Sequence, residues 1–243
     1  MSDFLVVVLI AGFAGFLTWL GAPIAEKFDV PYKVVSGALQ FAAGVIAALV
    51  FLSLMPPAVR GGDIVVAALM FFVGGAIFVL FEYYSARREA AKPASEQTGV
   101  SMGLFVGILV DLFVDGVVIG VGATLTLATG VALALGMAIS TLPLAFVTIS
   151  TARQQGIAKH TRQVLGASFF VCILAGALIG FVVLQNAPMT LRFALIAFAS
   201  GFLITTVTQS MIPEANKHGE PSFAGIFFVG GMSIYALLSL VLT

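Results

Sequence analysis

The sequence predicts an all-α integral membrane protein of eight transmembrane helices in a three-two-three arrangement, the first and last triplets forming inverted repeats. Three observations lead there. Of 243 residues, 60 % are apolar and 9 % charged, whereas a soluble domain carries roughly 25 % charge. The apolar residues gather in runs near the ~20 residues a helix needs to cross a ~30 Å hydrocarbon core, not in the ~10-residue alternating segments of a barrel. Short motifs of the first three runs also return in the last three.

The first run, 4–23, follows Asp3 instead of the basic stretch of a secretory signal, so it reads as a retained helix closed by Pro23. The second, 34–55, stops at Pro56-Pro57, and the third, 64–84, begins after Gly61-Gly62. The polar stretch 85–100, with Pro93 inside it, reads as a cytoplasmic linker. Runs four and five, 101–125 and 131–152, are divided near Gly130 and form a central hairpin. Gly156 precedes the sixth, 164–185, and Pro188 the seventh, 192–212; Pro213 and Pro221 stand before the eighth, 222–242. Residues 1–243 thus form a single transmembrane domain, with a first repeat over 4–84, the hairpin over 101–152 and a second repeat over 164–242.

Eleven Lys/Arg balance eleven Asp/Glu, leaving no basic field for nucleic acid. With the N-terminus outside, Lys27, Lys33, Arg87, Arg88, Lys92, Arg153, Lys159, Arg162 and Lys217 fall in loops on one side, and only Arg60 and Arg192 on the other. Positive short loops are retained in the cytoplasm, so both termini are placed outside the plasma membrane.

Phe41-Ala-Ala-Gly44 before Met55-Pro56-Pro57 is echoed by Phe198-Ala-Ser-Gly201 before Ile212-Pro213-Glu214, an offset of 157. Phe71-Phe-Val-Gly-Gly75 recurs as Phe227-Phe-Val-Gly-Gly231, an offset of 156. Leu9-Ile-Ala-Gly12 before Ala22-Pro23 faintly matches Ile173-Leu-Ala-Gly176 before Ala187-Pro188. Helices two and seven run in opposite directions by this topology, so the repeats are inverted, as in secondary transporters that alternate access around a midplane site. A repeat kept only for close helix packing is the simpler reading of the same glycines.

Asp111 and Asp115 lie 11 and 15 positions into a fourth helix starting near 101, at mid-bilayer depth, and at i and i+4 they share a face. A carboxylate there costs several kcal/mol unless paired, and every Lys and Arg is assigned to a loop or a span end. Two carboxyls roughly 6 Å apart repel, so the pair holds at least one proton that an entering cation displaces. Two protonated aspartates hydrogen-bonded across helices form the bland alternative. Ser140 and Thr141 on the fifth helix stand at similar depth, and Pro143 frees a carbonyl near Ile139. Gly116, Gly120 and Gly122 let the fourth helix approach its neighbours. His160 and His218 fall in loops, and Cys172 stands alone in the sixth helix. That excludes a closed zinc site of three or four N or S ligands, whereas oxygen donors suit harder ions such as Mn²⁺ or Mg²⁺. No phosphate-cradling Gly-Lys loop is present, which argues against ATP hydrolysis.

Asp111-Leu-Phe-Val-Asp115-Gly116-Val-Val-Ile-Gly120 resembles the fourth-helix signature of the ZIP family of divalent-metal (zinc and iron) transporters, His-Asn-Phe-x-Asp/Glu-Gly-x-Ala-Ile-Gly. Phe41 to Pro57 is similar to that family's second helix and Phe198 to Glu214 to its seventh, so the similarity touches nearly all eight helices. Departures fall on the family's metal ligands. Leu112 replaces an Asn, Asp111 a His, and Ser140-Thr141-Leu142-Pro143-Leu144 lacks both strong ligands of the fifth helix. Ile173, Ser53, Gln209 and Ser210 stand where the family often carries acids or His. The resemblance implies a transporter that moves a divalent cation across the plasma membrane through a reduced midplane carboxylate site. Asp111 and Asp115 would be its ligands and Ser140 or Thr141 its supporting oxygens. The metal is then substrate and not cofactor, the lipid bilayer is the surrounding partner, and no enzymatic activity is expected. Two further readings stay open: a ZIP-fold binding or regulatory subunit that moves no metal, and a transporter of protons or another small cation. Assembly as a homodimer is also open.

Overall fold

The computed structural model of the chain describes residues 2–28, 30–90, 102–217 and 223–242. They form eight helical segments: α1 (Ser2–Lys27), α2 (Tyr32–Gly61), α3 (Ile64–Ala90), α4 (Met102–Leu125), α5 (Leu127–Gln154), α6 (Lys159–Leu184), α7 (Met189–Ala215) and α8 (Ala224–Leu242). No strand occurs among the described residues. The first seven are long and apolar enough to cross a bilayer, and α8 adds a shorter apolar helix. Exposed Phe72, Val183 and Leu240 give the bundle an apolar exterior, as lipid contact requires. The chain is an all-helical, multi-pass membrane protein.

Several expected helix ends are displaced, three of them at prolines. Pro23 lies inside α1. Pro56, Pro57 and Pro213 do not stop α2 or α7, because each is preceded by one wide π turn, Val50–Leu54 and Val207–Met211. In both, the amide leaving the turn reaches five residues back, Met55 to Val50 and Ile212 to Val207. A proline brings no amide and its ring crowds the carbonyl four residues back, so widening the turn lets the helix continue. The two π turns stand 157 residues apart.

α5 begins at Leu127, before the expected 131, because the Thr126 hydroxyl caps it by accepting the Thr129 amide at 3.0 Å. Gly130 therefore sits in the first turns of α5, where a Cβ would stand 2.8 Å from the Ala123 Cβ in a tight hairpin. α3 runs on to Ala90, into the stretch read as a linker. The rest of that linker, residues 91–100, lies outside the described residues, as do His218 and Pro221.

Close pairs organise the bundle: α1 on α5, α4 on α6, α2 on α8 and α3 on α7. In the last two pairs the backbones touch through matched glycines. A Cβ on Gly44 would collide with the Phe228 carbonyl and one on Gly231 with that of Phe41, while Gly74 meets Phe198 and Gly201 meets Phe71 in the same way. Every one of these contacts relates to its counterpart by 157 residues, Gly74 matching Gly231 and Phe71 matching Phe228. The letter-for-letter identity at 156 is thus one residue out of structural register, and a Cβ on Gly230 would meet nothing within 4 Å.

Polar side chains close the helix ends, where backbone carbonyls lack partners. Arg153 Nη1 donates to the Ala25 carbonyl at 3.1 Å, and Arg162 forks onto Glu26, Nη2 to Oε2 at 2.8 Å, binding the end of α1 to α5 and α6. The hydroxyls of Tyr32 and Ser36 donate to the Ala215 carbonyl at 3.0 and 2.6 Å, fixing the start of α2 against the end of α7. At the opposite end Arg192 donates to the carbonyls of Thr124, Gln185 and Ala187, joining α4, α6 and α7. α1, α3, α5 and α7 all finish at one end of the bundle, the basic end, where Lys27, Arg153, Arg162 and Lys217 lie.

Candidate functional site

α4 is fixed along one side by small residues. A Cβ on Gly116 would strike the Ile173 carbonyl of α6, and one on Gly120 that of Ala177. With that side against α6, Asp111 and Asp115 are held within the bundle, 7 % and 2 % exposed. The Thr206 hydroxyl, in the last α-helical turn of α7 before the π turn, lies 3.1 Å from Asp111 Oδ1 and 3.2 Å from the Phe202 carbonyl. Its one proton serves both acceptors. Asp115 Oδ1 is buried and has no hydrogen-bond partner. An unpaired carboxylate oxygen at that depth is costly unless something of opposite charge or a proton meets it.

A cleft of about 470 Å³ opens at the basic end and reaches inward to Asp111. Thr206, Gln209 and Ser210 of α7 form one wall, Thr148 and Thr151 of α5 another, and Phe78 and Glu82 of α3 a third. Glu214 and Lys217, 3.3 Å apart and solvent-exposed, stand at the mouth. Asp115, one helical turn beyond Asp111, lies outside the residues that line the cleft. The cleft therefore leads from the basic end to one carboxylate and stops short of the second.

Ser140 and Thr141 are both buried, and neither lines the cleft. Their hydroxyls donate to the Met137 carbonyl at 2.9 and 2.8 Å, and Thr141 also lies 2.6 Å from the Thr18 hydroxyl of α1. Side-chain bonding thus joins Asp111 to Thr206 and Thr141 to α1. Thr206 and Thr148 were not singled out from the sequence, because a threonine in an apolar helix is ordinary. One signal does exist for Thr206: its counterpart at the offset of 157 is the apolar Leu49. Among the described residues no cluster of three or more His, Cys, Asp or Glu is close enough to hold a metal ion. What the site offers a cation is two carboxylates and a hydroxyl, all oxygen. No family model matches this chain, and no curated protein matches it.

Proposed function

We propose that the protein is a ZIP-like transporter that moves one divalent metal cation at a time across the plasma membrane. On this reading Asp111 and Asp115 bind the ion and Thr206 orients Asp111. The observation that carries it is the buried, unpaired Asp115 Oδ1 one turn past the inner end of a cleft whose walls carry Thr148, Thr206 and Ser210. A cation arriving at Asp111 finds there a second anionic oxygen with no protein partner to displace. The oxygen-only donor set favours a hard ion such as Mn²⁺ over zinc. Inverted repeats fit the same reading, since the π turns and glycine contacts recur at one offset of 157 on helices of opposite direction, an arrangement suited to alternating access. The charge bias puts the basic end, and so the mouth of the cleft, on the cytoplasmic side.

Uptake of a panel of divalent metals into proteoliposomes, with internal pH followed alongside, tests the proposal. Selective metal influx supports it. A proton signal alone assigns a different solute to the same site, and silence under every gradient leaves a ZIP-fold subunit that moves no metal.

A further inference from the structure

The cleft has a counterpart position at the other end of the bundle, and there the space is filled. Thr206, Ser210 and Phe78 on the cleft walls correspond, at the offset of 157, to Leu49, Ser53 and Tyr235. Tyr235 of α8 is 1 % exposed, and its hydroxyl lies 2.8 Å from the Ser53 hydroxyl in the π turn of α2. Its ring is seated over Gly136 of α5, where a Cβ would come within 2.5 Å of the ring and 2.7 Å of Leu49 Cδ1. Leu49 thus meets Gly136 of α5, whereas its counterpart Thr206 meets Asp111 of α4. At one end the space is open, with Phe78 in its wall beside polar and apolar groups; at the other the ring of Tyr235 occupies it and a single hydrogen bond holds the ring.

We propose that Tyr235, latched by Ser53 and seated on Gly136, is the gate closing the route to Asp115 from the end opposite the cleft. The proposal rests on the transport reading. Tyr235 must leave Gly136, and its hydroxyl must leave Ser53, before the acid pair meets solvent on that side. A phenol serves this role better than an aliphatic plug, because its hydroxyl needs a partner when buried and finds another in water when released.

Thiol labelling tests the gate without requiring any ion to move. In a Cys172→Ala background, single cysteines Leu49→Cys and Thr151→Cys are exposed in oriented vesicles to a membrane-impermeant maleimide from either face. Thr151→Cys, on the cleft wall, should react from the basic face, and Leu49→Cys should resist from both. Adding Tyr235→Ala should open Leu49→Cys to the opposite face. Tyr235→Phe or Ser53→Ala, which remove only the latch, should raise its labelling about fivefold, the population shift for one net hydrogen bond. These milder variants keep the test alive if Tyr235→Ala does not fold. Leu49→Cys labelled freely from the opposite face with Tyr235 in place overturns the gate, and so does continued protection in all the Tyr235 and Ser53 variants. Labelling as predicted in a protein that carries no cation would leave the gate standing and remove only the transport reading.

Discussion

On the proposed reading the chemistry turns on Asp115, because its Oδ1 is buried with no partner while Asp111 shares the Thr206 proton. Asp115→Asn should therefore abolish cation binding, read by equilibrium binding of Mn²⁺ to the purified protein. Asp111→Asn should weaken binding and change its pH dependence, because one of two coupled protons is lost. Thr206→Val should lower affinity about tenfold, as expected when a hydrogen bond to a charged group is removed at ~1.5 kcal/mol. Ser140→Ala should bind as wild type, since that hydroxyl already donates to Met137 within its own helix. Asp111→His supplies a nitrogen donor and should shift preference toward zinc. The acid pair was legible in the sequence because carboxylates at mid-bilayer depth are costly wherever they occur. Thr206 was not, because its bond to Asp111 joins residues 95 apart on different helices, and spacing along one helix carries no trace of it.

Among the helices, the informative contrast is between glycines that look alike in the sequence. Gly201 stands against the Phe71 carbonyl, whereas Gly230 has open space around it. Gly201→Leu should separate α3 from α7 and cost more than ~3 kcal/mol, the upper range for overpacking, while Gly230→Leu should fall within about 0.5 kcal/mol of wild type. Thermal unfolding in detergent reads both. Equal destabilisation would return the repeat to the 156-residue register of the matching letters. Glycine spacing marked the fourth helix as one that its neighbours approach closely, but not which helices those are, nor which glycine of a Gly-Gly pair faces the partner. Prolines misled in the opposite sense. Pro56 and Pro213 read as ends by local rules, yet α2 and α7 absorb them in π turns, because a helix inside a bilayer gains more by keeping its remaining backbone bonds than by breaking off.

For the whole molecule, composition and run length were enough to expect a multi-pass helical membrane protein, since 9 % of its residues are charged against roughly 25 % in a soluble domain. The way its helices pair was not readable from those features, because α2 against α8 and α3 against α7 are contacts across most of the chain. Orientation rests on the basic residues. Ala94→Cys should be protected from an impermeant reagent added outside cells, and a cysteine after Thr243 should react; equal reaction at both positions would remove the inverted relation of the repeats. The most direct measurement is Mn²⁺ uptake into proteoliposomes by the wild-type protein and Asp115→Asn side by side. Gradient-driven influx in the wild type that falls to the protein-free level in Asp115→Asn is the predicted result. Influx of equal rate in both, or none of any divalent metal in the wild type, would contradict a cation route through the buried pair.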